Sequence, residues 1–186
     1  MVFQEKLITA DEFLHMEFDD GKRYELVDGM LEEMPMSGEE ASELGLIIGT
    51  YIASYVREHG LGRVTGADGG YLLDTNPDKV RYPDVGFISL QRLPNRVRGF
   101  VVGAPDLAVE VMSPTDRHSK IQRKAKEYLR YGTKMVWVVD PDEQIVEVHT
   151  LFDAETVNIR TLDLNGTLDG GTVLPGFSLA VKDIFK

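Results

Sequence analysis

The segment Pro105–Gly132, PDLAVEVMSPTDRHSKIQRKAKEYLRYG, leaves the backbone less choice than any other part of the 186-residue chain. Leu107, Val109 and Val111 alternate along one face, as the two-residue period of a strand requires. Asp106, Ala108, Glu110 and Met112 occupy the other face. Ser113-Pro114 ends the strand, because proline cannot continue a ladder and restricts the residue before it. From about Ser119 the period becomes helical. Ile121, Ala125, Tyr128 and Leu129 fall at i, i+4, i+7 and i+8 on one apolar stripe, and Gly132 closes the helix. Glu110 is the anomaly. An acid in an apolar strand either faces solvent or belongs to a site, since an unpaired buried carboxylate is costly. On a helical wheel Lys124 sits beside the apolar stripe, closer to the packed face than Lys120, Arg123, Lys126 or Arg130. It can therefore lie over the sheet and reach the strand's polar face.

The remaining elements fit around this unit. Thr9-Ala-Asp-Glu12 is a capping box opening a short helix to about Met16. Asp28-Gly29, between apolar-rich runs, predicts a hairpin. Ser37-Gly-Glu-Glu40 reads as a second capping box. It opens a long helix with Leu44, Ile47, Ile48, Tyr51, Ile52, Tyr55 and Val56 on its core face, ended by Gly60. The glycines of Gly60-Leu-Gly62-Arg-Val-Thr-Gly66 follow a helix and are misspaced for a dinucleotide loop. Strands are expected near Arg63–Thr65, Tyr71–Leu73 and Tyr82–Ser89, with a polar loop at Asn76-Pro77-Asp78 and Pro83-Asp84 at a strand mouth. Lys134–Asp140 is a near-continuous apolar run, the mark of a central strand buried on both sides. Ile145–Thr150 and Thr156–Leu162 continue the sheet, and a turn at Asn165-Gly166 leads into a terminal segment. The order gives one domain, 1–186, of mixed α/β or α+β class: a mixed sheet flanked by helices, with hairpins toward both ends.

Composition excludes several chemistries. Without cysteine there is no disulfide, thiol catalysis or Cys-based zinc site. The longest uncharged run, Leu44–Val56, is too short for a bilayer span of roughly 20 residues, and the first residues lack a signal-peptide pattern. The chain reads as cytoplasmic, with no membrane partner. A net charge of −11 opposes bulk attraction to nucleic acid. Arg117–Lys134 nevertheless holds seven Lys or Arg and one acid, Glu127, and a Pro/Asn-containing loop carries Arg92, Arg96 and Arg98.

Phosphate-loop, nucleophile-elbow and His-x-x-x-His patterns are absent. His15, His59, His118 and His149 are scattered and read as surface or edge residues, with His118 alone near the anomalous strand. What remains is acids plus lysine: Asp84, Glu110 and Lys124. Two carboxylates suit Mg²⁺, which prefers hard oxygen ligands and keeps several waters. Such an ion can activate water and neutralise charge on a phosphodiester, while a lysine ammonium orients the attacking water. Taken singly, each residue has an ordinary structural explanation. Pro-Asp opens strands as turn chemistry, Glu110 faces solvent with Asp106 across an edge, and Lys124 flanks a helix. Glu25, in the first hairpin, is either a third carboxylate of the set or a solvent-facing acid. Asp106 shares Glu110's face and reads as a supporting residue.

In combination these residues resemble the Uma2 family (DUF820) of restriction-endonuclease-like proteins, within the PD-(D/E)xK nuclease superfamily. The resemblance rests on Tyr24-Glu-Leu-Val-Asp-Gly29, Tyr82-Pro-Asp-Val85 and Pro105-Asp-Leu-Ala-Val-Glu-Val-Met-Ser-Pro114 with Thr115-Asp-Arg117. It continues through Lys124-Ala-Lys-Glu-Tyr128, Gly132, Val136-Trp-Val-Val-Asp-Pro141 and Leu174-Pro-Gly-Phe177 with Leu179. It implies a restriction-endonuclease-like core with the site at one end. Asp84 would be the acid of the PD motif and Glu110 that of E-x-K, both binding Mg²⁺ or Mn²⁺. Lys124 would be the catalytic lysine, and Glu25 a recurrent acid of the same site. Two positions depart from the pattern: Met112 stands where the superfamily has its E-x-K lysine, and Leu44 where many similar proteins carry histidine. The implied activity is metal-dependent endonucleolytic cleavage of nucleic acid, with DNA the expected substrate and a homodimer the expected assembly by analogy. The alternative is a nuclease-fold module that binds nucleic acid without cutting it, which predicts salt-sensitive binding and no hydrolysis.

Overall fold

The computed structural model describes residues 6–114 and 116–186. Thr115, part of the motif after Pro114, lies outside the described residues. Thr9 and Glu12 cap each other as expected and open α1 (Ala10–Leu14). Asp28 and Gly29 take φ of 53° and 75°. Positive φ at both turn positions matches the twist of the flanking strands, and the turn joins β1 (Arg23–Val27) to β2 (Met30–Met34). The long helix α2 (Glu39–Glu58) begins differently from the expected capping box. Gly38 is its N-cap and no side chain caps it, so only the Glu39 and Glu40 charges complement its first turn. Leu44, Ile48, Ile52 and Val56 are buried, whereas Tyr51 is exposed.

The strands follow as β3 (Gly62–Gly66), β4 (Tyr71–Thr75), β5 (Asp78–Arg81), β6 (Val85–Ser89), β7 (Val101–Val102) and β8 (Leu107–Val111). Helix α3 (His118–Arg130) then leads to β9 (Met135–Asp140), β10 (Ile145–Leu151), β11 (Val157–Leu162), β12 (Thr167–Asp169) and β13 (Ser178–Ala180). One sheet has the order β2-β1-β5-β4-β7, a second β11-β10-β9-β8-β6-β3, and β12 and β13 pair alone. The fold is mixed α+β. In the six-stranded sheet β8 and β9 are parallel and every other pair is antiparallel. A parallel pair needs a crossover, and α3 supplies it.

The strand–turn–helix unit forms as its periodicities predict. Leu107, Val109 and Val111 face a core shared with α2, Trp137 and the C-terminal segment. Ala108 faces the opposite core with Ile121, Ala125, Tyr128 and Leu129 of α3. β9 is buried on both sides for the same reason. The expected strand Tyr82–Ser89 begins only at Val85, and β5 forms between the expected Asn76-Pro77-Asp78 loop and that strand, sharing only Asp78 with the loop. Tyr82, Pro83 and Asp84 are the passage from β5 in one sheet to β6 in the other.

Gly86, the second residue of β6, is required by close approach. A Cβ there would lie 2.5 Å from the Tyr71 hydroxyl and 2.7 Å from its ring. Tyr71 is fully buried and shares a 3.0 Å hydrogen bond with Thr65. Gly86→Ala is expected to destabilise the protein by about 1–3 kcal/mol through overpacking. Urea unfolding measures the loss, and Gly66→Ala, where a Cβ meets nothing within 4 Å, is the control that should fall well below it.

Candidate active site

The register of β6 against β8 explains how the acids meet. Val85 is opposite Val109, so Asp84, one residue before β6, comes to the side of β8 that carries Glu110. Asp84 Oδ2 accepts a 2.8 Å hydrogen bond from the Val111 N–H, which ties the crossover to the end of β8. Glu110 is 4% exposed. From α3, Lys124 Nζ lies 3.0 Å from each Glu110 carboxylate oxygen and 3.1 Å from Glu25 Oε1. Glu25, 5% exposed, comes from β1 in the other sheet. The four sequence-predicted residues thus converge from four elements: β1, the β5–β6 passage, β8 and α3. Lys124 occupies the place that the helical wheel assigns it.

Behind this set is a network that sequence reasoning missed. Arg81 Nη1 donates to Glu25 Oε2 at 2.7 Å, while its Nε and Nη2 hold both oxygens of Glu127 at 2.8 and 3.1 Å. Lys79 bridges Glu127 and Asp28 at 3.4 and 3.2 Å. Lys120 pairs with Glu32 at 2.9 Å, and the Tyr82 N–H donates to Glu25 Oε1 at 3.0 Å. Two signals foreshadow the network: Lys79 and Arg81 alternate onto one strand face, and Glu127, the sole acid of the basic run, falls one turn beyond Lys124.

Other expected roles move. Glu110 does not face solvent, and Asp106 does not support it. Asp106 lies at the opposite end of β8, where it accepts from the Ser89 N–H and pairs with Arg92 and Lys134. His149 is 1% exposed instead of a surface residue. Its Nε2 is 2.9 Å from Glu147, whose other oxygen is 3.5 Å from His118. His118 therefore faces this pair, not the acid set. Leu44 and Met112, where the pattern departs, both pack with core residues.

Burial sets the electrostatics. It pushes Glu110 up, Asp84 and Glu25 push it further, and Lys124 only partly offsets them, leaving a pKa of about 7. Asp84 is also raised, by burial against the opposing pull of the Val111 N–H and Lys124. Burial would raise Glu25 as well, yet Lys124, Arg81 and the Tyr82 N–H hold it below its usual range. Lys124 is kept protonated, because Glu110 and Glu25 outweigh its own desolvation. Glu110 and Glu25 therefore share the Lys124 ammonium directly, Asp84 feels it only at longer range, and Glu110 carries the imbalance.

A carboxyl whose folded pKa is raised keeps its proton in the fold while the unfolded chain ionises, so it costs stability as pH rises. Relative to Glu110→Gln, the wild type should lose stability between about pH 4.5 and about pH 7, and be flat above. The slope should not exceed roughly 1.4 kcal/mol per pH unit. Urea unfolding of both proteins across this range measures it. A constant difference would show that Glu110 is ionised throughout.

Comparison with known proteins follows the same lines. The model of the family Uma2, described as "Putative restriction endonuclease", matches residues 10–182. No functionally curated protein matches. Among solved structures, a putative nuclease belonging to DUF820 from Anabaena variabilis ATCC 29413 superimposes with a TM-score of 0.78 at 24% identity, over 96% of this chain and 97% of that one. That likeness carries the fold, and the family match spans nearly the whole described chain. The protein belongs to the Uma2 family.

Proposed function

We propose that this protein is a metal-dependent endonuclease that hydrolyses phosphodiester bonds of nucleic acid, with DNA as its substrate. The observation that carries this reading is the convergence of Asp84 and Glu110 at the β5–β6 passage with Lys124 against Glu110. Family membership and the neighbour's description support it. Among the described residues no cluster of three or more His, Asp or Glu is arranged to hold a metal. The candidate set is therefore the two-carboxylate kind, in which waters and substrate oxygens complete the coordination of Mg²⁺ or Mn²⁺. The residues fit such an ion. Glu110 Oε1 is buried without an aligned hydrogen bond, and Asp84 uses Oδ2 for the Val111 N–H. Additional positive charge would relieve the carboxylate excess around Glu110.

When bound, the ion would offset charge developing on the phosphate and lower the pKa of a water. The chain's own residues do the rest. Lys124, held protonated between two carboxylates, donates hydrogen bonds and orients the attacking water; it does not act as a general base. Glu25 is a positioning residue. Fixed by Arg81 and the Tyr82 N–H, it keeps Lys124 charged and aimed along β8. Met112, where other members of the superfamily place lysine, is free to pack because Lys124 delivers the ammonium from α3 instead.

Titration of Mn²⁺ by calorimetry, with nicking of plasmid and cleavage of single-stranded DNA on the same samples, tests the reading. Asp84→Ala and Glu110→Ala should lose metal binding and nicking while unfolding cooperatively. Lys124→Met should keep metal binding and lose about 100-fold in rate. Full cleavage by either acid variant would sink the assignment. Metal binding without cleavage of either plasmid or single-stranded DNA by the wild type would point to another phosphoester.

A further inference from the structure

Of the four site residues, Asp84 lines a surface cleft, of 470 Å³. One wall is the face of α2 carrying Gly45, Gly49 and Ala53; the other is the end of β3. The helix backbone comes close there, since a Cβ on Gly45 would lie 3.7 Å from that of Asp84. Ala53, Val64 and Thr65 also line a second cleft of 910 Å³, so the two adjoin along β3 as parts of one groove-like surface. The far part has a distinctive charge. In a chain of net charge −11, its lining includes Arg57, Arg63, Arg96 and Arg98, and the one acid there, Asp68, is paired with Arg23. Arg63 is committed to the backbone carbonyls of Leu93, Pro94 and Asn95 and holds the 91–100 loop in place. The guanidinium groups of Arg57, Arg96 and Arg98 are exposed and have no side-chain partner among the described residues. Tyr82 and Phe100, half-buried and edge-to-face at 6.2 Å, contribute aromatic surface to the same wall.

We infer that this groove is a binding track for a single strand of nucleic acid. Phosphates are held by Arg57, Arg96 and Arg98, a base rests on Tyr82 and Phe100, and the strand leads to Asp84. The inference rests on the nuclease reading for what happens at Asp84, but not for the binding itself. A single basic rail beside aromatic faces, inside a walled groove, is how unpaired strands are bound without sequence readout. A duplex presents two backbones and keeps its base faces stacked. The basic face of α3, which includes the exposed Arg123 and Arg130, is the surface it would use instead.

Fluorescence anisotropy in EDTA, where nothing is cut, compares a labelled single strand of about 12 nucleotides with the duplex of the same sequence. The single strand should bind at least about tenfold more tightly. Arg96→Ala/Arg98→Ala, at exposed unpaired positions, should weaken it about tenfold and reduce the slope of log K against log salt by about 1.4. Arg123→Ala/Arg130→Ala, with the same change in net charge, should shift it less than about twofold. Equal or tighter duplex binding, an unchanged affinity in the loop variant, or a larger loss in the α3 variant would overturn the track. Because no metal or cleavage enters, the nuclease assignment can fail while this one stands, and the reverse.

Discussion

A buried ammonium organises this molecule. Lys124 is withdrawn from water between Glu110 and Glu25, and desolvation of that kind is repaid only where every charge finds good partners. Its partners come from different sheets. Glu110 belongs to the six-stranded sheet and Glu25 to the five-stranded one, so the ammonium on α3 joins three layers at one point. Arg81 extends the join by holding Glu25 and Glu127 together. Replacing such a set with well-packed apolar residues is often neutral or stabilising, whereas removing one member strands the others. Stability alone therefore gives no reason to build it. Orientation does: each carboxylate oxygen on Glu25 is committed to a donor, and Lys124 is left with one direction to point.

The scaffold that permits this arrangement is the β8–α3–β9 unit. Because β8 is covered on both faces, an acid placed on it is desolvated wherever it points, unless it lies near the strand end. Glu110 is one residue from that end, where the β5–β6 passage brings Asp84 alongside and opens toward solvent. Asp106, four residues earlier on the same face, meets a different solution. It is neutralised by Arg92 and Lys134 and fixes the opposite end of the strand. One strand face thus carries two buried acids with opposite uses. The partners decide which is inert: Asp106 has two cations and a backbone donor, while Glu110 shares one cation with a second acid.

Much of this was legible from sequence because it depends on local period. The alternation of Leu107, Val109 and Val111, the stripe of Ile121, Ala125, Tyr128 and Leu129, and the Asp28-Gly29 turn all follow from backbone geometry over a few residues. Lys124 could be placed because a helical wheel relates it to its own buried stripe. What could not be read depends on contacts between distant segments. β5, with the sequence Asp-Lys-Val-Arg, looks like a solvated loop, since nothing nearby in sequence says that Lys79 and Arg81 will be buried against Glu127. His149 looked like an edge residue, yet it pairs with Glu147 on a strand covered by its neighbours. The Ser37 box failed for a smaller reason: its spacing suits a cap, but the helix starts one residue later, at a glycine that has no side chain to offer.

The distribution of unpaired charge separates the parts that hold the fold from those facing outward. Arg81, Lys79, Lys124 and Arg92 are each matched to carboxylates, and Arg63 to three carbonyls, so their field is largely cancelled. Arg57, Arg96 and Arg98 are matched to nothing among the described residues, and they stand along one groove of an acidic protein. In a uniformly acidic surface a polyanion would be repelled from every direction. A local positive lane admits it along one path, and low-dielectric walls strengthen that preference. The path ends at Asp84, where carboxylates outnumber the nearby ammonium and would repel a phosphate. Attraction along the lane and repulsion at its end oppose each other in the metal-free protein. A divalent cation between Asp84 and Glu110 would turn the repulsive end attractive, so the nuclease reading requires substrate and metal to bind cooperatively.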